Sequence, residues 1–223
     1  TALCWGTVPV MLRYLARPEY VPDGFTANLV RYPLSALFCL PWLLLGIRRG
    51  EMRGLWFAAL LPTMINIVGQ TLWSWAPYYL EAGLMAFQAR LSVIWSILCA
   101  FLIFRDERHL AGQRLFWIGA TLALAGFVAM SWQQLVQIHG PTLVGVTIIF
   151  FCSVCWGLYG VSVRYFMREQ HPFIFFSVIC LYTSIGLTVM APLGEPASVL
   201  RLPWFASVLL VISSFVGIAL AHG

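Results

Sequence analysis

Apolar runs of about 20 residues, separated by short charged or polar breaks, fill most of this chain. A helix of that length crosses the hydrocarbon core of a bilayer. With 61% hydrophobic and 9% charged residues, the composition excludes an ordinary soluble domain. The sequence therefore predicts an all-α integral membrane protein.

The runs between charged breaks predict eight membrane spans. In residue numbers they are 1–15, 25–47, 55–76, 82–104, 115–131, 142–166, 173–193 and a last span that begins near residue 203. The six cysteines fall inside these runs at spacings that fit no metal site, so we interpret them as small buried side chains.

The chain contains an internal duplication. Cys4-Trp5-Gly6 returns 151 residues later as Cys155-Trp156-Gly157, and Trp56-Phe57-Ala58 returns 148 residues later as Trp204-Phe205-Ala206. Two matched blocks at nearly one offset indicate a repeated unit of about 150 residues, which is too long for a solenoid repeat. We assign the first copy to residues 1–132 and the second copy to residues 141–223.

The number of spans in each copy sets how the copies face one another. The first copy holds five predicted spans, and because five is odd, the second copy must enter the bilayer from the opposite side. The expected fold is an inverted repeat of five-helix units, a ten-helix plan of which about eight spans are present. Alignment of the copies also leads us to expect roughly ten residues before Thr1 and two spans after Gly223.

The arginines indicate the orientation. All 13 basic residues are arginine, and eleven of them flank the apolar runs, so the net charge of +5 reflects topology and not binding of nucleic acid. With the amino terminus in the cytoplasm, eight arginines fall in inner connections and three in outer ones. Cationic loops resist translocation, so this orientation is favoured.

The third predicted span carries a polar stripe. Thr63, Asn66, Gln70 and Trp73 are spaced i, i+3, i+7 and i+10, which places them on one helical face. Such a stripe either lines a substrate pathway or holds the bundle together by hydrogen bonds between helices. Nearby Pro62 can loosen the helix and free a backbone carbonyl.

The fourth predicted span has an unusual charge. On a continuous helix Glu81, Gln88 and Ser92 share one face, whereas Arg90 points about 200° around the helix from Gln88. Arg31 in the second span is a further cation within an apolar run. The predicted bundle thus has more buried cation than anion, which an anionic ligand, or an acid in a span outside this chain, would balance. The alternative is that both arginines extend towards the outer surface.

The repeat pairs two tryptophans. Trp5 and Trp156 are equivalent positions in the first helix of each copy, and an inverted arrangement places them symmetrically about the midplane. They either wall a central cavity or act as packing anchors. The adjacent Gly6 and Gly157 allow close contact between helices or bending.

Other small and polar residues suggest packing, not cofactor chemistry. Gly112, Gly119 and Gly126 lie at heptad spacing, which predicts a packing groove on the fifth span. The four histidines have no metal-like spacing, although His222 falls in an apolar run and is a weak pathway candidate. No glycine-rich phosphate-binding loop is present, so no cofactor is predicted and ATP hydrolysis is not expected.

The order of these features resembles a known family. Trp5-Gly6 in the first span, Arg31 in the second, and Phe104-Arg105-Asp106-Glu107-Arg108 before the helix with Gly119 and Gly126 are similar to the EamA-type drug/metabolite transporters. The resemblance implies two copies, ten spans and export of amino acids and other metabolites across bacterial inner membranes, by proton-coupled or facilitated exchange. The chain departs from the family at Arg90, where an apolar residue is more usual.

Together these features predict a secondary transporter that exports small polar organic metabolites such as amino acids, by alternating access of two inverted halves. The predicted substrate contacts are Trp5, Asn66, Gln70, Gln88, Arg90 and Trp156. The expected partners are the lipid bilayer, a small-molecule substrate, protons as a coupling ion and a second copy in a homodimer. An integral-membrane enzyme, which would need a buried nucleophile with a base or clustered metal ligands, and a non-transporting receptor or assembly subunit are the alternatives.

Overall fold

The computed structural model describes residues 2–17, 19–136, 140–167 and 170–219, and within them the chain is helical without a strand. The α-helices are α1 (Ala2–Leu15), α2 (Gly24–Arg48), α3 (Leu55–Ala58), α4 (Leu60–Trp75), α5 (Ala82–Gln88), α6 (Leu91–Ile103), α7 (Arg114–Val136), α8 (Gly140–Met167), α9 (Pro172–Met190) and α10 (Trp204–Ser214). Short 3-10 turns cover Ala76–Tyr78, Arg105–Gly112, Ala191–Leu193 and Pro196–Arg201, and a π-helical segment, Phe215–Ala219, continues α10.

Each predicted span falls on a helix or on two consecutive helices. Within the described residues, five segments are long and apolar enough to cross a membrane. They are Gly24–Arg48, Leu55–Tyr78, Ala82–Ile103, Thr142–Met167 and Pro172–Leu193. The all-helical prediction is therefore confirmed, whereas the count of eight spans remains a prediction.

Local sequence signals explain where the helices begin and turn. The Asp23 carboxylate caps α2 because its Oδ1 accepts a hydrogen bond from the Thr26 backbone N–H at 2.8 Å. Between α2 and α3 the chain turns at Gly50 and Gly54, whose φ angles of 71° and 81° favour glycine. Pro172 occupies the first turn of α9, where its missing N–H costs no helical bond.

Two of the predicted spans are interrupted. The third span breaks at Ala59, between α3 and α4, and Pro62 lies in the first turn of α4. Proline cannot donate to the carbonyl four residues earlier, so the ladder is weakened there, as its position predicted. The fourth span breaks between Gln88 and Leu91.

Helices α2 and α9 pack against each other in antiparallel directions. At one end, the Glu195 backbone N–H, beyond the end of α9, donates to the Asp23 carboxylate at 2.9 Å. At the other end, Gly46 near the end of α2 lies so close to Ile174 at the start of α9 that a Cβ on Gly46 would approach its Cγ2 to 2.7 Å. The start of each helix therefore meets the end of the other.

Two further sets of contacts between the predicted copies correspond to each other. Helix α4 packs on α8 and α9, and α10 packs on α1 and α2. Asn66 Nδ2 of α4 donates to Thr183 Oγ1 of α9 at 3.0 Å, and Ser35 Oγ of α2 donates to the Ser214 carbonyl of α10 at 3.1 Å. Asn66 and Ser214 are separated by 148 residues, and so are Ser35 and Thr183. Such reciprocal contacts are expected where a twofold axis relates two units.

The predicted glycine contacts are only partly observed. A Cβ built on Gly157 would lie 2.5 Å from the Trp95 Cβ, so this glycine does permit a close approach of α8 to α6. Nothing lies within 4 Å of a Cβ built on Gly6. The same is true of Gly112, Gly119 and Gly126, so the packing groove predicted there is unfilled by the described residues. Helix α7 is attached mainly through α5 and the turn before it.

Candidate functional site: a cavity between α4, α5–α6 and α8

A cavity of about 210 Å³ lies between α4, the interrupted α5–α6 segment and α8. Its lining mixes aromatic rings, small side chains, two polar groups and one arginine, contributed by Asn66, Trp73, Ala86, Ala89, Arg90, Ser92, Val93, Trp156 and Tyr159. Cavities for drug-sized ligands usually measure about 300–1,000 Å³, so this one suits a smaller solute.

An aromatic wall forms one side of the cavity. The rings of Trp73 and Trp156 have centroids 4.8 Å apart and planes inclined by 49°. Gly69 makes room for this pair, because a Cβ at that position would lie 3.1 Å from Trp156 Cδ1. Tyr159 follows Trp156 by three residues and therefore lies on the same face of α8.

The break in the fourth span contributes the other lining residues apart from Asn66. Arg90 and Ser92 donate their backbone N–H groups to carbonyls three residues back, Phe87 O at 3.0 Å and Ala89 O at 3.1 Å. These tighter bonds turn the chain more per residue than an α-helix does. At this break Arg90 and Ser92 both line the cavity, whereas Gln88 does not. The prediction that Gln88 and Ser92 share a face opposite Arg90 assumed a continuous helix and is wrong.

Arg90 is the charged group of the cavity. Arg90 is exposed on the surface of the protein. It forms no ion pair with a described carboxylate within 4.0 Å. Glu81, the nearest acid in sequence, instead pairs with Arg13 at 2.8 Å, and Arg13 also donates to the Pro77 carbonyl at 2.6 Å. Glu81 therefore belongs to a separate contact at the end of α1 and does not neutralise Arg90.

The polar stripe on α4 has a divided role. Asn66 lines the cavity while bonding to Thr183, so it serves both the pathway and the packing interpretation. Gln70 is buried outside this cavity, and its backbone carbonyl accepts a hydrogen bond from Asn28 at 3.2 Å. Thr63 is also buried, and its hydroxyl has no partner among the described residues.

Gln88 faces a different environment. It lines a second cavity of about 330 Å³, which is otherwise apolar and includes Trp95 and Leu124. Gln88 is 2% exposed, and its Oε1 has no partner in the described part of the chain. The structure therefore separates Gln88 from the group formed by Asn66, Arg90 and Trp156.

Two sequence candidates cannot be placed at the site. Trp5 lies on α1, but its side chain is outside the described residues, and so is His222. The predicted pairing of Trp5 with Trp156 across a central cavity therefore stays a prediction.

Arg31 lies away from the cavity. It is 1% exposed, and its Nε and Nη1 atoms have no partner among the described residues. Its Nη2 would lie 3.3 Å from a Cβ on Gly217, in the π-helical segment after α10. Arg31 is thus enclosed where α2 meets α10 and does not extend to the surface.

Tyr159, Ala86 and Ala89 line the cavity but are not among the contacts predicted from the sequence. Tyr159 could have been found from its spacing to Trp156. The alanines carry no chemical signal, because only the fold shows that small side chains leave space there.

A bundle of apolar helices long enough to span a bilayer, enclosing a cavity with convergent polar groups, defines an integral membrane protein with the architecture of a solute transporter. A family model described as the EamA-like transporter family matches residues 1–132, and the chain belongs to this family. Its members are transporters and not enzymes. A search of curated proteins gives no match to the chain.

Proposed function

We propose that the protein is a secondary transporter that exports small polar organic metabolites, amino acids among them, by alternating access of two inverted halves. The observation that carries this proposal is the position of the cavity, whose lining comes from α4–α6 of the first copy and from α8 of the second. Secondary transporters bind their substrates at the interface between such repeats, near the membrane midplane.

The packing of α2 and α9 supports the inverted arrangement. They are corresponding helices of the two copies, and they run in opposite directions. The hydrogen bonds Asn66–Thr183 and Ser35–Ser214 join corresponding positions reciprocally. An axis in the membrane plane accounts for both observations, because it reverses one copy relative to the other.

An ion pair joins the predicted copies at one end of the bundle. We define the arginine-rich end as the end that carries residues 48–53, 104–112 and 164–167. There Glu107, after α6, pairs with Arg164 of α8, whose guanidinium lies 4.6 Å from the Phe104 ring centroid. In our proposal this end faces the cytoplasm of a bacterial cell, and the contact separates when the cavity opens towards it.

Flux through the full-length protein in proteoliposomes tests the function. We expect saturable uptake of an amino acid or related metabolite, reduced at least about tenfold by Trp156→Ala, because that change removes a wall of the cavity. Arg201→Gln, an exposed change in a distant loop, should leave flux unchanged. Flux that does not respond to a pH gradient would remove protons as the coupling ion, and no saturable flux of any metabolite would refute transport.

The membrane sidedness of two corresponding loops tests the inversion. Glu19, after α1, and His171, after α8, are both exposed. In Glu19→Cys and His171→Cys variants, we expect an impermeant thiol reagent to label Glu19→Cys from outside the cell and His171→Cys only after the membrane is opened. Labelling of both from the same side would contradict inverted halves. The same variants report the proposed cytoplasmic amino terminus.

A further inference from the structure

We infer that the cavity selects an organic monoanion with a flat apolar body, such as an arylalkyl carboxylate, over the zwitterion and the cation of similar shape. This inference rests on the proposed transport function and narrows its substrate class. Three features of the described residues carry it: the charge of Arg90, the distribution of the acids and the aromatic wall.

Arg90 places a permanent positive charge at the cavity. A guanidinium stays protonated in proteins, and within the span of a membrane protein a charge without a partner is costly. Arg90 is the ninth residue of the span Ala82–Ile103. It has no ion pair among the described residues. A carboxylate in the cavity would accept hydrogen bonds from two guanidinium nitrogens at once.

None of the described acidic residues lines the cavity. The eight acidic residues lie near the ends of the spans or in the connections between them. Among the described ones, Glu81 pairs with Arg13, Glu107 pairs with Arg164, and Asp23 caps α2. A ligand ammonium group would therefore find no described carboxylate at the cavity, and it would be repelled by Arg90.

The uncharged lining residues suit an apolar body. Trp73, Trp156 and Tyr159 offer ring surfaces, and Ala86 and Ala89 leave room beside them. Aromatic rings prefer offset or edge-to-face contact with other aromatic rings, which favours a planar group in the solute. Aromatic rings can also bind cations, but the adjacent guanidinium opposes an ammonium at this site. The combination therefore favours a planar apolar group with a single negative charge.

A matched series of solutes tests the inference. 3-Phenylpropanoate, phenylalanine and phenethylamine share a phenyl ring on a two-carbon chain and differ in being an anion, a zwitterion and a cation. We expect the full-length protein in nanodiscs to bind the anion at least about tenfold more tightly than phenylalanine, and phenethylamine most weakly. Equal binding of the anion and the zwitterion, or no saturable binding of the anion, would overturn the inference.

Substitutions of Arg90 test whether this residue causes the preference for the anion. We expect Arg90→Gln to lower affinity for 3-phenylpropanoate by at least about tenfold, Arg90→Lys to keep the preference for the anion, and Arg53→Gln, an exposed loop change, to have no effect. Unchanged anion affinity in Arg90→Gln would contradict the assignment. If Arg90→Gln does not fold, the wild-type series and Arg90→Lys still decide the result.

Flux measurements separate this inference from the proposed function. Selective binding of the anion without flux of any solute would refute transport while leaving the anion site intact. Flux of phenylalanine without binding or flux of 3-phenylpropanoate would refute the anion site and leave transport standing.

Discussion

Two of the interfaces between the predicted copies share the same backbone contacts but differ in their side chains. Where α4 packs on α8 and α9, Asn66 bonds to Thr183 and Gly69 permits a close approach. Where α10 packs on α1 and α2, Ser214 accepts the corresponding bond and Gly217 permits the corresponding approach. Gly69 and Gly217 are themselves separated by the repeat offset of 148 residues.

The two interfaces differ in the surroundings of the arginine that each one contains. The α4–α8 interface borders a cavity with an aromatic wall and an exposed Arg90. The α10–α1 side instead encloses Arg31, whose Nε and Nη1 lack described partners. The two interfaces therefore share their backbone contacts, whereas their side chains differ so that one of them holds the candidate site.

The largest expected effect comes from breaking the contact of α8 with α6. Gly157→Ala places a Cβ 2.5 Å from the Trp95 Cβ and 2.9 Å from the Ser96 backbone nitrogen, so the helices must part. We expect a loss of about 1–3 kcal/mol in stability and a marked loss of flux. Gly160→Ala is the matched control, since the nearest atom to its Cβ is Ser96 Oγ at 3.8 Å. Equal thermal midpoints for the two variants in detergent would show that the close contact at Gly157 does not stabilise the packing of α8 on α6.

A second change tests the enclosed cation. Arg31→Met removes a buried charge with unpartnered nitrogens and keeps much of its volume. Leaving a buried polar group unpaired costs roughly 1–3 kcal/mol, and more when it is charged, so we expect the variant to be more stable than the parent. Arg31→Gln, which stays polar, should gain less. A lower thermal midpoint for Arg31→Met in detergent would show that Arg31 is paired by a group outside the described residues.

The smallest effect concerns the two matched hydrogen bonds. In a double-mutant cycle of Asn66→Ala and Thr183→Val, we expect a coupling of about 0.6 kcal/mol, typical of hydrogen bonds between membrane helices. Ser35→Ala should lose a similar amount of stability. Only Asn66→Ala should also lower flux, because Asn66 lines the cavity and Ser35 does not. Equal flux in the Asn66 and Ser35 variants would remove this functional difference between the interfaces.

The sequence predicted the elements better than the site. The apolar runs predict the helices, because the length of a run and its charged ends are local properties of the sequence. Asn66, Arg90 and Trp156 are predictable as substrate contacts because polar or large groups in such runs are unusual. The break at Ala89–Arg90 could not be foreseen, because neither proline nor glycine marks it, and it reverses the expected separation of Arg90 from Ser92. The placing of Gln70 and Gln88 outside the cavity also depends on packing between distant segments.

The Asp23 carboxylate serves both copies at once, since it caps α2 and accepts the backbone N–H of Glu195. Gly194 allows this approach, because a side chain there would collide with Asp23. Parting the copies at this point would strip the start of α2 of its cap as well as breaking the tether. In the proposed alternating access, this contact would be the point about which the halves rotate, and the far ends of α2 and α9 would then move farthest.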